Sequence, residues 1–177
     1  DHDQLAEGRI VVRRGRAREE MLSIDGTRCR VNDRMCVIAD ADRPVAIAGI
    51  MGGLDSEVGK GTANLLIESA AFDPKTTRQS ARALRLMSEA SYRFERGVDP
   101  AGQDWASLRA CQLILDLAGG ELAPGLVDAW AEPVAAGEVA LRPERTRKLL
   151  GVDLSEDAQA ELLGRLGLEP KLDAGRI

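Results

Sequence analysis

The sequence predicts an α+β fold, in which helices pack against a mixed or antiparallel sheet. Residues 9–70 contain short apolar runs separated by turn signals, a pattern that is typical of strands. From Asp73 and Pro74 onward, apolar residues recur at helical spacing instead. Small residues and a proline at 131–138 indicate a linker. We therefore expect two domains, at 1–132 and 137–177.

The predicted strands follow one another closely. "RIVVRR" at 9–14 predicts the first, and residues 20–32 predict a hairpin around the turn residues Asp25 and Gly26. The continuous apolar runs of "CVIAD" and "PVAIAGI" indicate strands that are covered on both faces. A further buried strand is expected at 63–70, "ANLLIESA".

The helices have recognisable starts. Asp73 is expected to cap a helix that has Pro74 at its first position, and Asp99 with Pro100 repeats this pattern for a second helix ending at the glycines 119–120. "GLVDAW" at 125–130 then predicts a return strand. The last 40 residues or so predict a partial β-α-α-β domain, with strands "VALR" and "LEPKL" on either side of helices that begin at Pro143 and Ser155.

Composition narrows the functional classes. The chain of 177 residues has a net charge of −5, which disfavours a protein that coats nucleic acid by bulk electrostatics but leaves room for a local basic face. Arginines cluster in "RIVVRRGRAR" and "RPERTRK". No apolar run approaches the roughly 18 residues of a membrane span. The chain starts without Met and stops after a predicted strand, so we expect a piece of a longer cytosolic protein.

The residue inventory also limits the chemistry. Cys29, Cys36 and Cys111 match no metal motif and are expected to be reduced, structural thiols. The single histidine, His2, lies at the edge of the chain, which argues against a His-based triad or a zinc site. Without a nucleophile and base, catalysis would depend on a positioned water, backbone amides or groups of the substrate.

Three stretches carry the candidate site. Gly52 and Gly53 follow a predicted strand and allow either an ordinary turn or the close approach of a ligand. Glu68 ends an apolar run, where a carboxylate requires either an arginine partner or a position at the mouth of a pocket. Ser88 and Ala90 are small residues suited to a pocket wall.

The third stretch, "SEASYRFERGVDP", also holds the only Tyr and one of two Phe. If this segment is extended, Tyr92 and Phe94 share one face, while Arg93 and Glu95 share the other. The alternatives are a bridging segment with aromatics inward and charges outward, or one wall of a binding crevice. If the segment forms a crevice wall, Arg93, Glu95 and Arg96 are expected to be mainly structural.

Taken in order, "CVIADADRPVAIAGIMGG", "LLIESAAFDP" and "SEASYRFERGVDP" resemble the editing domain of the bacterial phenylalanyl-tRNA synthetase beta subunit. "LILDLAGGE" and "LRPERTRKLLG" continue the resemblance into the next small domain, so it covers nearly the whole chain. The resemblance implies an RNA-binding domain that hydrolyses tRNA(Phe) mischarged with tyrosine. It further implies a catalytic alpha subunit as partner, two alpha with two beta, which uses ATP and Mg2+ for aminoacylation in the cytoplasm.

Residue roles also follow from the resemblance. Glu68 falls on the glutamate that contacts the tyrosine hydroxyl, Gly52 on a backbone position of the pocket, and Ser88 and Ala90 on its usual Thr and Ala. No metal ligand is implied in this part. Ser88-Glu89 replaces a usual Thr-Asp, and "ALRLM" replaces a stretch that often contains Gly. The family's editing histidine would lie just before Asp1.

Two alternative functions stay open at this point. The domain could be a scaffold that supports the assembly and the tRNA without hydrolysing anything. It could also belong to a phosphate- or sugar-binding enzyme that uses the Gly52-Gly53 turn, although the sequence contains no Walker loop and no GxGxxG motif.

Overall fold

The computed structural model describes residues 1–130, 137–173 and 175–177, and divides the chain into two compact units, Asp1–Val127 and Asp128–Ile177. The first unit has the predicted α+β architecture, with an antiparallel sheet on which helices pack. The predicted domain limits of 1–132 and 137–177 stay a prediction.

The first unit contains six strands and three helices in its described residues. The strands are β1 Val11–Arg14, β2 Glu20–Leu22, β3 Arg28–Arg30, β4 Cys36–Ala39, β5 Pro44–Ile47 and β6 Met51–Gly52. The helices are α1 Pro74–Leu84, α2 Glu89–Phe94 and α3 Gln103–Ala118. Short 3-10 turns lie at His2–Gln4, Ala6–Gly8 and Leu54–Ser56.

The main sheet has the order β1-β4-β5-β6, and every neighbouring pair is antiparallel. β2 and β3 form the separate hairpin that the Asp25-Gly26 turn predicts. The two parts join where Ser23 and Gly53 form an isolated bridge and the Ile24 N–H donates to the Gly52 carbonyl at 3.0 Å. β6 is therefore the edge strand at which the sheet contacts the hairpin.

Apolar side chains cover both faces of β4 and β5, as their continuous apolar runs predict. On one face Val37 and Ile47 pack into a core that includes Met21 from the hairpin and Ala81 from α1. On the other face a smaller cluster contains Ile38, Val45 and Ala48, with Phe72 packed against it.

The predicted strand at 63–70 is wrong. Residues 63–70 have no regular secondary structure, and Leu65 and Leu66 are each 44% exposed. A strand needs a neighbour that pairs with its backbone, yet the described backbone hydrogen bond of this segment to another part of the chain runs from the His2 N–H to the Asn64 carbonyl. The strand predicted at 125–130 is absent for the same reason.

The helix starts are mostly confirmed. Asp73 caps α1 through the Thr76 N–H at 2.7 Å, and hydrogen bonding from the Thr76 side chain and N–H lowers the pKa of the Asp73 carboxyl. The helix expected from Pro100 begins instead at Gln103, with Gly102 as its N-cap residue.

The second unit contains α4 Pro143–Leu150 and α5 Glu156–Arg165, and Ser155 caps α5 through the Ala158 N–H. The segments expected as strands, 139–142 and 168–172, are not strands in the structure. Leu141 and Ile177 exchange two backbone hydrogen bonds, and Ile177 lies outside the predicted strand at 168–172.

Candidate functional site

The three motif stretches meet at Gly49, which has φ +68°. A side chain at this position would place its Cβ 2.9 Å from Cδ2 of Phe72 and 3.2 Å from the Phe94 ring. The two rings lie 5.0 Å apart between centroids, at an interplanar angle of 58°. The "AGIMGG", "ESAAFDP" and "RFERG" segments are thus held together by an aromatic pair that rests on a glycine.

Ser88 ties the third stretch to the first. It is the N-cap of α2, and it forms a capping box in which the Ser88 hydroxyl accepts from the Ser91 N–H while the Ser91 hydroxyl accepts from the Ser88 N–H. The Ser88 hydroxyl also donates to the Ile50 carbonyl at 2.6 Å. The Ser88 hydroxyl therefore both donates and accepts a hydrogen bond within the protein. Ala90 is a half-buried residue of α2.

The expectation of an extended segment at Tyr92 and Phe94 is wrong, because this segment is helical. Two residues along a helix are separated by about 200°, so their side chains diverge. Phe94 packs against Phe72, whereas Tyr92 is 53% exposed. Ser88 with Ser91 was the available signal for a helix start, as a variant of the capping-box pattern.

The charged side chains in and just after α2 form ion pairs with one another. The Arg93 guanidinium pairs with Glu89 at 2.8 Å, and Arg96 pairs with Glu95 at 2.7 Å. Arg96 also stacks over the Tyr92 ring, with its Cζ 3.6 Å from the centroid. These contacts support the expectation that Arg93, Glu95 and Arg96 serve structure.

The two site glycines have different surroundings. A Cβ at Gly53 would lie 2.7 Å from the Val45 carbonyl oxygen, and the Gly53 N–H donates to that same oxygen at 2.7 Å. Gly53 is therefore required for the close pairing of two backbones. A Cβ at Gly52 would meet only Ile24 Cγ2, at 3.8 Å, so Gly52 borders open space.

Glu68 is exposed as a residue, yet protein atoms crowd its carboxyl and displace water, which raises its pKa. Within the described residues it makes no ion pair with an arginine, which was the alternative to a binding role. Its charge acts on the Cys36 thiol, whose pKa is raised mainly by burial and is affected in opposite directions by Arg14 and Glu68.

The predicted site residues are thus only partly brought together. Gly52, Gly53, Ser88 and Ala90 belong to one connected region through Ile50, whereas Glu68 has no described hydrogen bond to any of them. A surface cavity of about 500 Å³ lies beside the hairpin, and another of about 430 Å³ lies beside α1. Neither is lined by these five residues.

Metal-binding clusters and membrane-spanning helices are absent from the described part of the chain. The described residues contain no group of three or more His, Cys, Asp or Glu side chains that could hold a metal ion. Among them, no helix has the length and apolarity needed to cross a membrane. Cys29, Cys36 and Cys111 are free thiols.

The antiparallel sheet with helices packed on it is consistent with a B3/4 domain. The profile of that family matches residues 1–119, and the chain belongs to this family. The resemblance to phenylalanyl-tRNA synthetase beta subunits is confirmed by curated relatives that carry this name.

Three of these relatives are named phenylalanine-tRNA ligase beta subunit. Those of Rhodopirellula baltica and Salinibacter ruber are each 46% identical over 169 residues, and that of Moorella thermoacetica is 48% identical over 169 residues. Each alignment covers 96% of this chain. The chain spans 20–25% of the length of these proteins, so it corresponds to one part of such a subunit.

Proposed function

We propose that this chain carries the editing site of a phenylalanine-tRNA ligase beta subunit and hydrolyses the ester bond of Tyr-tRNA(Phe). The observation that supports the proposal most is the Glu68 carboxyl, which is crowded by protein and yet has no described arginine partner. A carboxylate in this condition is available to accept a hydrogen bond from a phenol hydroxyl.

The selectivity follows from the difference between the two amino acids. Phenylalanine and tyrosine differ by one hydroxyl, and an apolar synthetic pocket rejects that added group only weakly. In a second pocket, the Glu68 carboxylate would accept a hydrogen bond from the tyrosine hydroxyl. Such a pocket would strongly favour tyrosine over phenylalanine, because phenylalanine would leave a desolvated carboxylate without a partner. Gly52 offers the backbone with the open space that such a ring requires.

In the hydrolysis itself, water adds to the ester carbonyl and the bond to the ribose oxygen breaks. The products are free tyrosine and tRNA with its terminal hydroxyl restored. The proposed roles of this chain are to bind and orient the aminoacyl group, through Glu68 and the backbone at Gly52, while Ser88 fixes the start of α2 beside that backbone. The groups that activate the water are not assigned to residues of this chain.

The proposal extends to the assembly. We infer that the full-length protein joins a catalytic alpha subunit, two of each, and binds tRNA(Phe) in the cytoplasm. ATP and Mg2+ would serve the aminoacylation site of the alpha subunit. The domain division at 132–137 belongs to the same proposal, with editing assigned to the first part.

The test is deacylation by the assembled ligase that contains these residues. The wild type should hydrolyse Tyr-tRNA(Phe) and spare Phe-tRNA(Phe), and Glu68→Ala should reduce that preference by about 10-fold or more. Glu57→Ala is a matched control, because Glu57 is an exposed carboxylate just beyond a 3-10 turn. Unchanged preference in the Glu68 variant would contradict the role of this carboxylate.

A scaffold without hydrolytic activity is the second candidate. It is favoured by the engagement of the Ser88 hydroxyl within the fold. A wild-type ligase that charges tRNA with phenylalanine and clears no Tyr-tRNA(Phe) would establish this alternative. The phosphate- or sugar-binding enzyme is disfavoured, because the Gly53 N–H is already bound to Val45.

A further inference from the structure

A groove of about 430 Å³ lies between the end of β1, the loop before β4 and the first turns of α1. It is outside the predicted pocket. Its lining combines basic and neutral polar side chains with a single carboxylate. The lining residues are Arg14, Asp33, Arg34, Lys75, Thr76 and Gln79.

The groove is positively charged in an acidic chain. Three cations face one carboxylate across its lining, whereas the whole chain has a net charge of −5. In the described part of the chain, Arg14, Arg34 and Lys75 make no ion pair, although most other arginines of the sheet and hairpin do. Their charges are therefore available to an external anion.

The groove is also partly preorganised. The Arg14 guanidinium donates to the Arg34 carbonyl at 3.0 Å, and the Arg34 N–H donates to the Asn32 side chain, so the end of β1 is tied to the backbone of the loop that carries Arg34. Asp73 already caps the start of α1, which means that anion binding here would use side chains and not free N–H groups of the helix.

We propose that this groove holds the phosphate backbone of the RNA substrate, an inference that rests on the proposed function. Arginine forks and a lysine ammonium are the usual partners of phosphate oxygens. No aromatic or aliphatic side chain lines the groove, so it lacks both a base-stacking platform and the apolar centre of a protein interface. Contact would thus be with the backbone and independent of sequence.

The position of the groove fits this role. Arg14 ends β1 and pairs with Cys36 at the start of β4. Burial raises the pKa of the Cys36 thiol, while the charge of Arg14 lowers it and that of Glu68 raises it. The groove and the candidate carboxylate therefore act on the same residue of this strand pair.

The test compares two lysines in the assembled ligase. Lys75→Gln removes a groove charge, and Lys60→Gln removes one from an exposed loop outside the groove. Binding of uncharged tRNA(Phe) is measured as a function of salt concentration. Lys75→Gln should weaken binding about 3- to 10-fold and reduce the salt slope by about 0.7–1, whereas Lys75→Arg and Lys60→Gln should remain close to wild type.

Because uncharged tRNA is used, the result is independent of whether the ester is hydrolysed. A wild type that binds through the groove but clears no Tyr-tRNA would remove the editing proposal and retain this one. Equal affinity and salt slope for Lys75→Gln and Lys60→Gln would overturn the groove proposal. A loss of alpha-subunit association in Lys75→Gln, with unchanged tRNA binding, would overturn it in favour of an acidic protein partner.

Discussion

The Ser88 hydroxyl donates to the Ile50 carbonyl across 2.6 Å and joins the start of α2 to the loop before β6. The same oxygen accepts from the Ser91 N–H, so one hydroxyl connects a helix cap with the backbone beside Gly52. The position of Ser88 in the wall of a binding pocket stays a prediction. Its observed contacts make it a structural link between α2 and the backbone beside Gly52.

Ser88→Ala should therefore lower the stability of the chain. Loss of the cap and of the bond to Ile50 is expected to cost about 1–3 kcal/mol, because the Ile50 carbonyl would lose its donor and the first turn of α2 would lose its cap. Urea unfolding of this chain measures the change. Ser88→Thr keeps the hydroxyl and should retain most of the stability; an equal loss in both variants would contradict the hydrogen-bond explanation.

Gly49→Ala tests the contact between the motif stretches. Its φ of +68° and the 2.9 Å approach of Phe72 leave no room for a Cβ, so a loss of about 1–3 kcal/mol is expected. Gly61→Ala is the control, since a Cβ there meets nothing within 4 Å and φ is not positive. A melting temperature for Gly49→Ala as high as that of Gly61→Ala would show that the ring pair adjusts freely.

Much of the fold follows from local sequence signals. The Asp25-Gly26 turn gives the hairpin, and the continuous apolar runs give β4 and β5 with both faces covered. Asp73 and Ser155 each precede a helix that they cap. These elements were predictable because turn and cap chemistry acts over a few residues.

The wrong prediction at 63–70 concerns an element that depends on a distant partner. Leu65, Leu66 and Ile67 have the composition of a buried strand, yet no neighbouring strand in the described chain pairs with them. Composition states that a segment can be a strand, and pairing decides whether it is one. The prediction of an extended segment at residues 92–95 was wrong for a different reason. The Ser88-Ser91 capping box stabilises a short helix there.

The candidate site was predictable only in its residue types. The sequence identifies Glu68 as a carboxylate that ends an apolar run. Only the structure shows that it has no arginine partner among the described residues. The groove at Arg14, Arg34 and Lys75 could be anticipated only as an arginine cluster near the start of the chain. Its lysine, Lys75, comes from α1, about forty positions after Arg34.

The contrast between Gly52 and Gly53 gives a third prediction. Gly53→Ala should destabilise the chain by about 2 kcal/mol or more, because its Cβ would lie 2.7 Å from the Val45 carbonyl oxygen. Gly52→Ala has 3.8 Å to Ile24 and should fold normally. Chemical unfolding of the two variants measures the difference. Equal stability would mean that the strands at Gly53 move apart at little cost.

The two glutamates Glu19 and Glu68 are expected to affect stability in opposite directions. The bidentate partner Arg13, at 2.6 Å and 2.9 Å, lowers the pKa of Glu19, so its stabilising effect is present above the ordinary carboxyl pKa and is lost as pH falls through the lowered value. Glu19→Gln should cost about 2 kcal/mol near neutral pH, and the loss should shrink in acid.

Glu68 should show the reverse dependence on pH. Crowding raises its pKa, so the ionised carboxylate opposes folding above the raised value, and this penalty disappears as pH falls below the ordinary carboxyl pKa. Glu68→Gln should therefore increase the free energy of unfolding near neutral pH by a small amount, since the residue is partly solvated, and should change nothing in strong acid. Unfolding curves measured across this pH range for both glutamine variants give the comparison. A neutral-pH loss of stability in Glu68→Gln would mean that this carboxylate has a partner within the fold, and it would also remove the reason to assign it to a ligand.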